Sequence, residues 1–479
     1  MYGGAVERLI CGAPLPSREL HSTKSSPVPR DAAPRADARS DRSSRAKSRD
    51  LPPLLARLRG LPLIALLVVA LLALSAAWAI DPIRDAATGQ VVTEDATLER
   101  TGGYLLLAPV SAILDTVTLL SVRQHVALVV TLLLAWLLWW WFSRRERDLA
   151  VAPGRRVVRI VARIGTALVL LVGLYAVAVL VPRPMAALRP GSPAVLSVDF
   201  HAHTKYSHDG RWNWTPEDVR RWHRKSGFDV AYISDHRTFE GAREGWANNP
   251  VQSGTGTVLL PAIEAVWQGE HVNILDADRM YRGILDVPLR DVDTEALRLA
   301  SLVPGNEPVL IETIPGNLAQ AEKIVAKGPG TAGVRAIEIV DGAPRGLAQG
   351  RRERARILDI ADSANLALVA GSDHHGWGHA ASAWTLFIMP GWRAAPPEDL
   401  SRAIAATIRR GGRASTKVVE RYVADTDRGV ALPLTVPLVA WGMFRTLSLD
   451  ERVVWLAWIV AIVLLSRVRG MRLRRSGEP

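Results

Sequence analysis

One cysteine, Cys11, is all the chain has, so no disulfide can form within it and cysteine pairing says nothing about redox compartment. No segment repeats. Apolar periodicity is missing from residues 1–50, which are rich in Ser, Pro, Arg and Asp. Such a stretch cannot offset the entropy of ordering, and a disordered basic tail over residues 1–60 is expected. A plain signal peptide is excluded too, because the first apolar run begins only at Leu61. Acidic side chains are in deficit, 47 against 59 Lys and Arg, for a formal net charge of +12. That excess would point to nucleic acid if it lay on one folded domain. It lies instead in residues 1–60, in residues 143–163 and after Ser466, each time beside an apolar segment. Basic flanks on a membrane protein follow that pattern.

Charge is absent from Leu61 to Ile80, a run of the ~20 residues needed to cross ~30 Å of hydrocarbon. Further spans are expected over 124–142, which ends in Trp139, Trp140 and Trp141, over 164–181, and over about 448–466. Tyr104 to Val122 is apolar but holds Pro109 and Asp115, so it reads as an interfacial or re-entrant segment. Ala431 to Phe444, interrupted by two prolines, is read as lying along the interface or crossing it. The expected layout is a membrane region at 61–182, a second at 430–466, and a basic tail at 467–479. With all basic stretches cytoplasmic, four spans put everything between the two regions on the non-cytoplasmic side of a multi-pass integral membrane protein. Were Tyr104 to Val122 to cross, that orientation would reverse.

Between the membrane regions strand-like runs alternate with helical patterns, as in an α/β domain over residues 195–425. Thr215-Pro216-Glu217-Asp218 resembles a capping box that starts a helix, with His223 on its surface. Further helices are expected over 316–327, 351–364 and 397–409, and a strand over 334–340 ends at Asp341. Several strands end in ligand-type residues. The run to 203 carries Asp199, His201 and His203, which strand alternation would put on one face, followed by His208 and Asp209. Val230 to Ser234 leads to Asp235 and His236, and Val258 to Ile263 leads to Glu264, with His271 close behind. Leu366 to Gly371 leads to Asp373, His374 and His375. Imidazole and carboxylate donors together suit zinc, manganese or iron, and groups gathered at the carboxyl ends of strands are placed as in a barrel active site.

Taken in order, His201-Ala202-His203, Ser207-His208-Asp209-Gly210, Ser234-Asp235-His236, Ala262-Ile263-Glu264 and Gly371-Ser372-Asp373-His374-His375 resemble the PHP (polymerase and histidinol phosphatase) family, over roughly residues 195–425. The resemblance implies a distorted (β/α)7 barrel, here flanked by transmembrane α-helices, and hydrolysis of phosphate mono- or diesters by water activated on two or three divalent ions (Zn, Mn or Fe). It implies that His201, His203, Glu264 and Asp373 hold one ion, that Glu264 bridges to a second that takes His271, and that Asp209, His236 and His375 hold a third. Asp199 and Asp235 would support this chemistry by fixing the orientation of neighbouring histidine rings. Two departures matter. The His208-Asp209 stretch is one residue longer than the shortest family form, so either could be the ligand, with Asp209 favoured because it precedes the glycine. Where the family has His-Pro-Gly, this chain has Ile314-Pro315-Gly316, which leaves the second ion short of a donor and labile.

Lys205 and Arg237 flank ligand motifs and are candidates to clamp the substrate phosphate, or are solvated loop charges. Trp212, Trp214, Trp246, Trp267 and Trp377 lie near motif loops, suited to stacking, to an interface or to packing. The expected partners are a phosphoester, either a small molecule or a lipid headgroup, and the bilayer. Nucleic acid is not expected, since no polymerase body is visible. The rival reading is a catalytically inactive PHP-like domain that senses a ligand or a metal.

Overall fold

The computed structural model describes residues 63–142, 153–236, 238–267, 269–275, 309–326 and 334–475. Among the described residues twelve strands are formed: β1 (Ile83–Asp85), β2 (Ala96–Arg100), β3 (Ala186–Pro190), β4 (Val195–Ala202), β5 (Val230–Ile233), β6 (Val258–Trp267), β7 (Glu270–Leu275), β8 (Val309–Glu312), β9 (Val334–Asp341), β10 (Ala367–Gly371), β11 (Ala383–Ile388) and β12 (Lys417–Arg421). Ten of them build one sheet in the order β1-β12-β11-β4-β5-β6-β7-β8-β9-β10, and β2 pairs with β3 in a separate antiparallel ribbon. The fold is α/β, with a curled mixed sheet. Beyond the end of β10 the chain meets β4 again: Ala202 bridges His374, and Asp373 N donates to His201 O at 2.8 Å. The seven strands β4 to β10 thus bring their ligand-bearing ends around a common centre. They depart from seven parallel β/α units, because β6–β7 is a hairpin and β7–β8 is antiparallel.

Val198, Tyr232, Leu260, Ile311, Ala336 and Val369 cluster on one face of the sheet and pack on Leu400, Ile404 and Ile408 of the helix Pro397–Gly411. The burial of so many β-branched and aromatic side chains is the main force holding the strands. Along β6 and β9, the next residues with the same facing as Ala262 and Ala336 are Glu264 and Glu338, so this apolar face runs directly into the acidic site. On the other side, the helix Pro216–Ser226 is started by a complete capping box between Thr215 and Asp218 and ends on Gly227 at φ 86°. The helix expected over 351–364 is interrupted, forming Pro344–Arg352 and Arg354–Ser363 instead.

Two helices are long and apolar enough to cross a membrane, over Val122–Trp139 and Val157–Leu180. Leu138, Val169, Leu170 and Val172 on them are all more than half exposed. Four spans were the expectation, and among the described residues only these two meet it. Leu63–Ala77 is apolar but only 15 residues long, about 22 Å at 1.5 Å per residue, which is short of a ~30 Å core. The last helix, Leu449–Arg475, begins with Asp450 and Glu451 and ends in arginines. Residues 104–122 form no single helix; they fold into Gly102–Leu106 and Ala108–Thr118 and start the helix Val122–Phe142. The expected tail 1–60 lies outside the described residues.

Pro109 stands at the start of the helix Ala108–Thr118, and Asp115 anchors that helix to the rest of the chain. Its buried carboxylate accepts from Arg183 at 2.9 Å, from Arg421 at 2.9 Å and from the Tyr104 hydroxyl at 3.1 Å, tying the helices to β12. The Arg123 guanidinium donates to the carbonyls of Thr426 and Val430, and Arg351 reaches Gln124 at 2.9 Å. Breaking a buried ion pair leaves an uncompensated charge, so Asp115→Ala should cost about 3–5 kcal/mol. The thermal midpoint of the full chain in detergent reads this directly, and an unchanged midpoint would mean that apolar contacts alone hold the junction.

Candidate metal centre

The site is assembled from the ends of β4, β5, β6, β7, β9 and β10, with Glu264 at its middle. Glu264 Oε2 lies 2.9 Å from His201 Nε2, 3.3 Å from His203 Nε2 and 3.4 Å from His236 Nε2, while Oε1 lies 2.6 Å from His271 Nδ1. Asp373 Oδ1 stands 3.5 Å from His201 Nε2, 3.2 Å from His203 Nε2 and 3.4 Å from His375 Nδ1. Asp209 Oδ2 closes the far side, 3.4 Å from His236 Nε2 and 3.1 Å from His375 Nε2. All eight side chains named as metal ligands from the sequence therefore meet. Their donor atoms converge in overlapping triplets, among them His201/His203/Glu264, His203/Asp209/His236, His203/Asp373/His375 and His236/Glu264/His271. His208 stands apart, with its ring largely exposed and 4.0 Å from Asp209.

The donor set fits a divalent cation. Atoms ~2.1 Å from one tetrahedral ion sit ~3.4 Å from each other, the spacing seen between most of these pairs. His203 is fully buried and neither ring nitrogen has a hydrogen-bond partner, and His375 Nε2 is similarly orphaned. A native protein does not leave buried polar atoms unpaired without a use for them, and a ligated ion is one such use.

Backbone irregularity aims the histidines. The β4–β5 register shifts between Asp199 and Ala202, so strand alternation fails there. Asp199, expected to share a face with His201, turns instead to the helix Pro216–Ser226, where its Oδ2 lies 2.7 Å from His223 Nε2; its Oδ1 accepts from Ser372 N at 2.8 Å. His223 is accordingly buried at 0% exposure, not a surface residue. Asp235 takes Thr204 N at 2.6 Å and Thr204 Oγ1 at 2.7 Å, bracing the His203 loop from behind. Gly371 is required where the strands converge, since a Cβ there would come within 2.4 Å of Glu338 Oε1 and 2.5 Å of His201 Cβ. Asp373 itself adopts φ 46°, a left-handed conformation uncommon for a residue with a side chain.

Two acids escaped the sequence reading. Glu338 Oε1 lies 3.0 Å from His201 Nδ1, and Asp341 Oδ2 lies 3.7 Å from the same nitrogen. Both are fully buried, and burial raises both carboxyls, with Asp373 and Glu338 adding to the effect at Asp341. The available signal was a lone acid inside an apolar run, Ile337-Glu338-Ile339. Glu312 is buried as well; burial, Glu270 and Glu338 push it up to about 8. Ile314, standing where a donor was sought, is buried, and its N–H donates to Glu338 Oε2 at 3.1 Å.

A cavity of about 610 Å³ opens over the cluster, lined by His201, Asp209, His236, Glu264, His271, Asp373 and His375 with Ile314, Pro315, Ala343, Pro344 and Arg345. Of the expected phosphate clamps, Lys205 is not among its lining residues and holds its Nζ over the Tyr206 ring at 4.8 Å, while Arg237 lies outside the described residues. Arg345 occupies the rim instead. Trp214 is buried, with Arg211 stacked over it, whereas Trp212 is 84% exposed.

No family model matches the chain, and no curated protein matches it. Among solved structures it is similar to PsfC from Pseudomonas syringae, at 18% identity over 52% of this chain and 98% of that one, with a TM-score of 0.33. It is also similar to a two-domain protein from Bacteroides vulgatus containing a predicted PHP-like metal-dependent phosphoesterase, at 16% identity over 47% and 65% of the two chains, with a TM-score of 0.30. A third is the lesion-specific endonuclease PfuEndoQ from Pyrococcus furiosus, at 13% identity over 44% and 56%, with a TM-score of 0.32. Identities and scores this low carry no argument about activity.

Glu338 Oε1, 3.0 Å from His201 Nδ1, favours the tautomer with its proton on that nitrogen, which leaves Nε2 to face the cluster. Glu338→Gln is therefore expected to weaken divalent-ion affinity about 10–100-fold, measured by competition with a chelating dye. Protons report the same site. Burial alone would depress the His203 ring, but the negative carboxylates of Asp373 and Glu264, 3.2 and 3.3 Å from its Nε2, outweigh it and hold the ring at about 9 before a cation binds. A cation needs the neutral ring, so binding must expel that proton, and affinity should keep rising to about pH 9 instead of levelling near the ordinary ~6.5. Titration calorimetry in buffers of different ionisation heat measures the release. None at neutral pH would mean that the rings are already neutral.

Proposed function

We propose that this protein is a divalent-metal-dependent phosphoesterase, held in a membrane by its apolar helices with the barrel on the non-cytoplasmic side. The observation that carries the reading is Glu264 shared among four histidine rings, beside a buried His203 with two orphaned nitrogens. Divalent ions held by such donors supply a strong oxygen nucleophile near neutral pH and draw charge from phosphoryl oxygens. The chain's own residues do the rest. Glu338 and Asp341 orient His201, and Asp235 braces the loop that carries His203. Arg345 at the cavity rim presents a cation to the phosphate, while Ile314, Pro315, Ala343 and Pro344 line the cavity with groups that give water no hydrogen bonds. Zn, Mn and Fe all suit the imidazole and carboxylate set.

Placement in a membrane rests on the exposed apolar faces of the two long helices, and sidedness on the arginine-rich residues 143–163 that join them, which favour the cytoplasm and leave the opposite helix ends on the other side. The sensor reading keeps one observation in its favour, the apolar Ile314 beside the three-donor set His236/Glu264/His271. Turnover separates the two. Full-length protein loaded with Mn or Zn is expected to cleave p-nitrophenyl phosphate or bis(p-nitrophenyl) phosphate. His203→Ala should lower kcat/KM by about a hundredfold or more while leaving the thermal midpoint of the metal-free protein nearly unchanged. Metal-loaded protein that cleaves neither ester would make the sensor the better reading.

A further inference from the structure

A second cavity, of about 520 Å³, adjoins the first and shares Asp209, Ala343, Pro344, Asp373 and His375 with it. Its far wall is not barrel. It is made by Val117 and Thr118 at the end of the helix Ala108–Thr118, and by His125, Tyr175 and Val179 on the two helices long enough to cross a membrane. These helices do not merely lie near the site. Gly378 N, five residues beyond Asp373 in the chain, donates to Val179 O at 3.1 Å, and Thr118 packs against Gly378. Polar groups on the helical wall are satisfied within it, His125 Nδ1 with Tyr175 Oη at 2.8 Å and the Thr118 hydroxyl by the Asp115 carbonyl at 3.0 Å, which leaves Val117, Val179 and the Thr118 methyl to face a visitor. Half-exposed Trp377 stands at the rim, with Arg211 over its ring at 5.7 Å. An apolar space that has metal-type donors at one end and lipid-facing helices at the other suits a molecule with a phosphate head and a hydrocarbon tail, and its volume is that of a ligand site.

We infer that the substrate is an amphiphilic phosphoester drawn from the bilayer, its phosphate on the Glu264 cluster and its aliphatic chain along Val117, Thr118, Tyr175 and Val179. This rests on the phosphoesterase reading and narrows its substrate class. Water adds to phosphorus and the P–O bond to the chain-bearing alcohol breaks, so the alcohol leaves with one proton and the phosphate is released on the barrel side. The full chain in phosphatidylcholine nanodiscs, loaded with Mn, is assayed on the ethyl, butyl and octyl esters of phosphate and of methyl phosphate. In the ester class that is cleaved, kcat/KM should rise about two- to fourfold per added methylene. Val179→Trp, or Thr118→Trp if the first does not fold, should cut the octyl-to-ethyl ratio at least tenfold. Equal kcat/KM across a cleaved series overturns the inference and leaves the phosphoesterase standing. A ratio untouched by both substitutions overturns the placement of the chain, and no cleavage of any ester overturns both readings together.

Discussion

The ligand-bearing ends of the curled sheet are arranged around one carboxylate with too many neighbours. Glu264 stands within about hydrogen-bond reach of four imidazoles, and Asp373 and Asp209 stand close behind. Charges gathered this densely away from water are costly unless they are neutralised by a partner. Protonated histidines can do it, and His201 is driven well above its ordinary value, against burial, by Glu264, Glu338 and Asp373. A divalent ion does it better, because it concentrates the positive charge between the donors and frees the rings to be neutral ligands. The strained φ of Asp373, the obligatory glycine at 371 and the broken register of β4 are backbone concessions to that one cluster.

Much of this was legible in the chain. Ligand-type residues follow apolar runs at several strand ends, but it was the resemblance to the PHP family that picked out eight of them as donors and, with the glycine behind it, favoured Asp209 over His208. The capping box at Thr215 was equally plain, being a local signal that needs no tertiary partner. What was lost was lost to tertiary context. Alternation placed Asp199 beside His201, but a bulge turned one toward the helix and the other toward the cluster. His223 on a helix of charged residues reads as solvated, and only the buried Asp199 opposite it reveals otherwise. Glu338 and Asp341 were invisible as site residues because a strand pattern says which residues are buried, not what they face.

The helices pose the opposite case. Their apolar length was evident, but the docking of their ends on the sheet was not, since Asp115, Arg183 and Arg421 are far apart in the chain and meet only in the fold. A buried acid held by two guanidiniums is a poor source of stability compared with apolar packing, yet it is highly directional. It fixes the helix Ala108–Thr118 at one angle, and with it Val117 and Thr118 beside the metal-type donors. Rigid attachment here means that the opening to the site and the opening to the helices share walls.

Ile314 then acquires a reason to be apolar. In the position where a further donor would complete the ligand set around His271, it contributes to the cavity wall, and its backbone N–H steadies Glu338. His271 is about half exposed and touches only one oxygen of Glu264, so an ion on that side would be held by three protein donors, His236, Glu264 and His271. Three protein ligands and an open position describe a catalytic ion better than a structural one, because a site closed by a fourth side chain has no place left for a reacting oxygen. An apolar side chain at 314 would therefore leave such an ion less firmly held while keeping space in the cavity that Ile314 and Arg345 both line.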